Sequence, residues 1–444
     1  MTPRLTNGAL AASSEASVDS ETISGLIKDD VNRFRVHSSV YIDPTLFNLE
    51  IQRIFERSWI FVAHEEMIPE CGNYITTSLG KQPIIVSRGS DGDIHVLFNR
   101  CAHRGSVVCR EERGHSDVFR CPYHGWVFAN NGQLVGAAQR SGYPEDFLDW
   151  DLRLEPVPRV DMYRGLIFAN LDPATPPLSE RLEGVRSYID LWCERSPKGT
   201  LRLPEGVQRY EFPANWKLQA ENGVDGYHGN YVHESFVELL ERSGERSADR
   251  TTKARNTVGA VNFAKGLPCG DGLLEREEGM LGTFDYRSRE DYREKLETAY
   301  GVKRADDIMM QRNIFIFPNL FLFESHIRVI HPVRADKSYI DVHPTYLRGA
   351  GDVLNAERLS QHECFFGPSG FGAPDDIEIF ACFQSGAAAS GSPWLEFSRG
   401  MHRETTNNEG ETVGHSTDET PQRSLYREWL RRMLNNGSHE GSLQ

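Results

Sequence analysis

Cysteine is scarce in this chain: eight among 444 residues, too few for a disulfide framework at this size. A reducing cytoplasm is the expected compartment. Also missing is any apolar run near the roughly eighteen residues that cross a bilayer, so no membrane helix is expected. Residues 1–25, rich in Ala, Ser, Thr and Glu, lack the apolar core of a signal peptide and are expected to be a disordered tail. Basic side chains fall short as well, with 49 Lys and Arg against 64 Asp and Glu and a formal net charge of −15. That balance argues against a nucleic-acid or anionic-membrane surface, both of which reward clustered Lys and Arg.

Two of the few cysteines stand in a metal-binding pattern. Cys101-Ala102-His103 and Cys121-Pro122-Tyr123-His124 supply two thiolates and two imidazoles, with seventeen residues between His103 and Cys121. This is the donor set in which two histidines replace two cysteines on one iron of a [2Fe-2S] cluster, a Rieske-type centre. Cys101 and Cys121 would hold one iron, and His103 and His124 the other, solvent-side iron. Gly105 and Gly125 follow where each loop must turn. A structural zinc site accepts the same four ligands, but zinc spacings usually pair cysteine with cysteine. The other six, Cys71, Cys109, Cys193, Cys269, Cys364 and Cys382, carry no pairing signal.

The chain is long enough for about two or three domains. Phe47, Ile51, Ile54, Phe55 and Trp59 recur at helical spacing, so residues 26–57 are expected to form a helical segment packed away from the first compact domain. Residues 58–172 alternate short β-rich runs with turns such as Asp91-Gly92 and Asn131-Gly132, which predicts a small all-β domain with the metal loops at hairpin ends. After the Pro-rich linker Asp172–Pro177, residues 173–444 mix helices with strands near Ile314–Phe317, Phe321–Ile330 and Tyr339–Tyr346, the pattern of a larger α+β domain. Residues 240–285 are polar with weak periodicity, either a cover over a pocket or an irregular insertion. Leu425, Trp429 and Met433 recur every four residues in a terminal helix, as core or subunit contact.

A second motif lies in residues 221–233, where His228 and His233 follow Asp225. Two histidines and a distant carboxylate form the facial triad of non-haem Fe(II) oxygenases, which leaves one metal face open. Five residues turn an ideal helix by about 500°, so the helix must end or loosen between the two, and Gly229 eases that distortion. The distant acid is expected from Pro374-Asp375-Asp376, either of the two. Acids in a first helical turn also complement the helix dipole. Arg328, in an otherwise apolar strand, is placed either to clamp a carboxylate or to form a strand-end salt bridge. Asn222, beside the iron motif, could add a polar contact or simply cap a helix.

With Cys-Ala-His-Arg-Gly, Cys-Pro-Tyr-His-Gly-Trp, Trp-Lys-Leu-Gln-Ala-Glu-Asn-Gly-Val-Asp-Gly-Tyr-His, Ile-Arg-Val-Ile-His-Pro and Ala-Pro-Asp-Asp-Ile-Glu, the chain resembles Rieske non-haem iron aromatic-ring-hydroxylating oxygenases. The likeness is to the α subunits of the benzoate, anthranilate and salicylate group, and covers nearly everything after the tail. It implies a Rieske [2Fe-2S] domain, a mononuclear Fe(II) held by His228, His233 and Asp376, and Asp225 joining His228 to a neighbouring subunit's His124. Trimers follow, as α3β3 with a small β subunit or as α3. It also implies electrons from NADH through a flavin and iron-sulfur reductase or ferredoxin, and O2 activation beside a bound ring. Two added hydroxyls give a cis-dihydrodiol; one would make a ring monohydroxylase of the salicylate type. Arg328 with this group implies an aromatic carboxylate substrate. Ser385–Gly391 and the loop before the last helix depart from the benzoate pattern and leave the particular acid open. The rivals are a Rieske electron-transfer protein without oxygenase activity and a zinc-stabilised binding protein.

Overall fold

In the computed structural model, which describes residues 18–204, 206–242, 262–276, 289–389 and 391–435, helix already forms at Ser20–Ser24. That lies inside the stretch expected to be disordered; residues 1–17 fall outside the described set. The cause is local. Asp19 accepts the Thr22 N–H at 2.7 Å, an N-cap, and Ile23 is fully buried in the main hydrophobic cluster.

Residues 26–57, read from sequence as helical, open instead as a hairpin. Ile27–Asp30 pairs with Arg33–His37, which pairs in turn with Trp394–Glu396. Phe34 and Val36 are buried and alternate with the more exposed Arg33, Arg35 and His37, a period of two. Helix follows at Ser39–Ile42 and Pro44–Glu50 and ends in a π turn, Ile51–Phe55. Phe47, Ile51, Ile54 and Phe55 all enter the main core, whereas Trp59 precedes the strand Ile60–His64 and joins a second cluster.

The β region is built of short antiparallel sheets. Ile94–Phe98, Gln82–Arg88, Asn73–Leu79 and Arg113–His115 lie side by side in that order, and Leu134–Gly136, Val127–Ala129 and Val118–Arg120 form a three-stranded neighbour. The metal-motif loops leave the ends of these strands. A third sheet, Arg159–Tyr163, Leu166–Asn170 and Ile60–His64, buries Phe61, Leu166 and Phe168 in a cluster shared with the helices Leu178–Arg181 and Arg186–Cys193.

The larger part is organised on a nine-stranded antiparallel sheet. Its order is Gln208–Phe212, Lys337–Pro344, His326–Arg334, Leu320–Leu322, Gln311–Ile316, Gly272–Arg276, Asn262–Gly266, Thr412–His415 and Thr405–Thr406. The run Phe321–Ile330, expected as one strand, is interrupted by a turn at Phe323–Ser325. Residues 240–285, expected to be irregular, contribute two sheet strands; 243–261 and 277–288 lie outside the described residues. With helices packed on the sheet, the fold is α+β, as expected.

One buried carboxylate ties the site-bearing helix to both ends of the chain. Glu50 accepts from Trp216 Nε1 at 2.8 Å, Lys217 Nζ at 2.5 Å and Trp429 Nε1 at 2.6 Å. Both partners of the Lys217–Glu50 ion pair are inaccessible to solvent. Three donors offset the desolvation that an isolated carboxylate would suffer, and they fix the helix Trp216–Asn222 against the terminal helix Thr420–Leu434.

Candidate metal centres and active site

Each metal-motif loop is closed by two backbone hydrogen bonds. Gly105 N donates to Cys101 O at 2.9 Å and Cys101 N to Ser106 O at 2.8 Å; Gly125 N donates to Cys121 O at 3.0 Å and Cys121 N to Trp126 O at 2.7 Å. Such closure needs a left-handed residue after the histidine, and Gly105 and Gly125 have φ of 72° and 68°. Cys101 and Cys121 are buried, and burial together with the neighbouring Cys121 sulfur raises the Cys101 thiol. The His103 and His124 rings lie 4.7 Å apart. Their Nδ1 atoms are buried without a hydrogen-bond partner, an arrangement that costs free energy unless a metal takes those lone pairs. Two sulfurs and two such nitrogens fit a Rieske cluster. Trp126 stacks on His103 at 4.7 Å and Tyr123 on His124 at 3.7 Å, so indole and phenol flank the imidazoles.

The second site assembles from distant parts of the chain, Asn222 and Asp376 being 154 residues apart. Asn215 caps the helix Trp216–Asn222, which leads to His228 at the start of a single turn, Gly229–Val232. The break comes at His233 itself, with φ −103° and ψ 31°, before Glu234–Arg242 begins. Gly229 is therefore not the hinge. Asp375 and Asp376 stand in the first turns of the helix Gly372–Ala387.

Asp376 is the acid that meets both imidazoles. Its Oδ1 lies 3.7 Å from His228 Nε2 and 3.4 Å from His233 Nε2, and the three residues bring donor atoms within 4.8 Å of one another. Asp375 lies on the far side of His233, 3.6 Å from Nδ1. Asp225 lies 3.4 Å from Nδ1 of His228, so each ring has one nitrogen toward the common point and the other toward an acid. Burial lowers the pKa of His233, which favours the neutral imidazole that coordinates. Although burial acts to raise it, the Asp225 carboxyl is held below its ordinary value by His228 and by the Tyr227 N–H, 2.5 Å from Oδ1. Two imidazoles and one carboxylate oxygen with a cavity beyond them fit a 2-His-1-carboxylate iron. Asn222 donates to Asp376 Oδ1 at 3.0 Å and lies 3.3 Å from His228 Nε2.

Asn222, Asp225, His228, His233, Arg328 and Asp376 all line one cavity. None of Cys101, His103, Cys121 or His124 lines it. Arg328 is only 3% exposed, and its guanidinium sits over Phe323 at 4.6 Å and Phe366 at 5.3 Å. It forms no ion pair with a described carboxylate, and burial pushes it down to about 10 even with Asp376 opposing. The strand-end salt bridge is absent among the described residues. Sequence reasoning missed Phe323, Phe365 and Phe366 as cavity walls; the last two end a helix, Asp352–Phe366, whose apolar positions carry no local sign of a pocket.

Among the described residues no helix is long and apolar enough to cross a membrane. Residues 58–147 match the Rieske [2Fe-2S] domain family, and residues 203–435 match the ring hydroxylating alpha subunit (catalytic domain) family. The chain is 34% identical over 404 residues to the 2-halobenzoate 1,2-dioxygenase large subunit of Burkholderia cepacia, covering 88% of this chain and 86% of that one. It is 35% identical over 384 residues to the toluate 1,2-dioxygenase subunit alpha of Pseudomonas putida, covering 83% of each. Its fold is similar to the crystal structure of naphthalene 1,2-dioxygenase from Rhodococcus sp. bound to indole, with a TM-score of 0.78, 28% identity and 91% and 95% of the two chains covered. Paired with the two donor sets above, these likenesses set aside the zinc protein and the simple electron carrier. The chain belongs to the ring-hydroxylating dioxygenase α subunits, enzymes that join a Rieske [2Fe-2S] domain to a catalytic domain binding mononuclear iron.

Proposed function

We propose that this α subunit cis-dihydroxylates an aromatic carboxylate. The observation that carries the reading is Arg328, a buried cation with no carboxylate partner among the described residues, in the wall of the cavity that holds the triad. A buried guanidinium left unpaired is unfavourable, and a substrate carboxylate accepting from its fork relieves that cost. Phe323, Phe365 and Phe366 supply apolar walls for the ring.

In this reading His228, His233 and Asp376 hold the mononuclear iron, and Cys101, His103, Cys121 and His124 hold the cluster. The iron supplies O2 activation and the cluster supplies single electrons, which in this family come from NADH through a reductase. Arg328 orients the ring by its carboxylate, Asn222 offers a polar contact beside the triad, and the phenylalanines exclude water. Asp225 fixes the His228 ring through Nδ1 and, in a trimer, would accept from the partner subunit's His124. Tyr123, 61% exposed and stacked on His124, marks that edge as available for such a contact. The assembly is α3, or α3β3 with a small β subunit, and works in the cytoplasm on electrons from a reductase or ferredoxin. Residues 58–172 and 173–444 bound the two domains.

Turnover of benzoate, anthranilate, salicylate and toluene after reconstitution with a reductase tests the reading. Acids should be hydroxylated and toluene poorly; a preference for toluene would overturn the carboxylate assignment.

A further inference from the structure

A second cavity, of about 460 Å³ and open to solvent, lies between the Rieske strands Asn73–Leu79 and Arg113–His115 and the catalytic strands His326–Arg334 and Lys337–Pro344. It shares no lining residue with the metal-bearing cavity. The strand His326–Arg334 divides the two, since Arg328 lines one while Val329 and His331 line the other, as alternation along a strand requires. Cavities at domain seams are common small-molecule sites.

The chemistry of its walls is uneven. Phe61, Met67, Leu203, Val207 and Val329 give an apolar floor. The carboxylates that reach it are already engaged. Arg209 donates to Asp341 at 2.6 and 3.0 Å and to Glu112 at 2.9 Å; His331 lies 3.2 Å from Asp341; Arg348 donates to Glu66 at 2.7 Å. His115 is held by Asn73 at 3.2 Å. Arg113 and His343 are left over, with no side-chain hydrogen bond or ion pair to another described residue. Burial, with the positive Arg113 and Arg209 nearby, pushes His343 down to about 4 and leaves it a neutral donor at physiological pH. One guanidinium and one imidazole N–H over an apolar floor, with no free carboxylate among the described residues to oppose them, match a flat monoanion.

We propose that the domain seam is a second binding site for a small aromatic carboxylate, whose anionic end is held by Arg113 and His343 and whose ring rests on the floor around Val207. Because it spans both domains, the occupant would brace them where Arg209 already joins Glu112 to Asp341.

Calorimetric titration of the holoenzyme with benzoate, without reductase or O2, tests this. Wild type should bind two benzoates per chain and Arg328→Ala one. Arg113→Ala, and separately Val207→Trp, which fills the floor, should each weaken one of the two sites at least about tenfold and leave the other unchanged, the loss expected from removing one charge-assisted hydrogen bond or its apolar support. Toluene should not bind at the seam. A wild-type benzoate stoichiometry and affinity that both seam variants leave unchanged, whether one site or two, would overturn the proposal. Two undiminished sites in Arg328→Ala would instead count against the carboxylate reading of the metal-bearing cavity and leave the seam site standing.

Discussion

Arg328→Ala should cost benzoate turnover far more than toluene turnover. In the wild type the guanidinium is buried, stacked over two phenylalanines and unpaired among the described residues, so a bound carboxylate becomes its partner. With alanine there, the carboxylate enters the same cavity with its hydration lost and no cation to meet. Truncating one side of a buried, hydrogen-bonded charge pair costs about 2–4 kcal/mol, which is roughly 30- to 1000-fold in kcat/KM. Toluene has no charge to lose, so its kcat/KM should stay within about threefold of wild type, as expected for a change that removes packing but no ion pair. Folding should survive, because a buried cation without a partner is itself unfavourable and offsets the lost cation–π contacts of about 1 kcal/mol each. Product formation by both substrates, with iron content measured on each sample, decides the matter. Equal losses for benzoate and toluene, or no loss for either, would refute the assignment of Arg328 as the carboxylate anchor.

Three other outcomes are expected. Asp225→Asn should keep cluster and iron while reductase-driven turnover falls by about ten- to a hundredfold, as is usual for loss of a ligand-orienting acid; retained activity would remove Asp225 from the electron path. Gly125→Ala places a side chain at φ 68° with its Cβ 3.0 Å from that of Ala138, which should cost about 1–2 kcal/mol and lower cluster occupancy, read from the visible absorbance of the purified protein. Glu221, half-buried and hydrogen-bonded to Tyr41 and Tyr426, has its carboxyl pushed up to about 7 by desolvation, so the folded state binds a proton that the unfolded chain releases near its ordinary value. Stability should therefore fall as pH rises from about 4.5 to about 7, by up to about 3 kcal/mol, and Glu221→Gln should flatten that part of the denaturation profile.

The metal loops were legible because both halves are local: a cysteine, a histidine two or three residues on, and a glycine where the backbone turns left-handed. His228 and His233 were legible for the same reason, although the helix breaks at His233 and not at Gly229. Asp376 was not decidable from spacing. Two adjacent acids start the same helix, and only the packing of that helix against the histidine turn sends one toward both Nε2 atoms and the other behind His233. Phe365 and Phe366 were invisible as pocket walls because their role depends on where the helix Asp352–Phe366 ends in space. The N-terminal hairpin escapes sequence reasoning because Phe34 and Val36 give only two alternating positions, and the third strand of its sheet lies some 360 residues away, as the Val36–Leu395 pairing shows.

The most direct measurement is product analysis under isotopically labelled O2, with benzoate as substrate and a reductase supplying electrons from NADH. The expected product is a cis-dihydrodiol with both oxygens of one labelled O2 on adjacent ring carbons. A product carrying a single labelled hydroxyl, or consumption of O2 with benzoate unchanged, would contradict it.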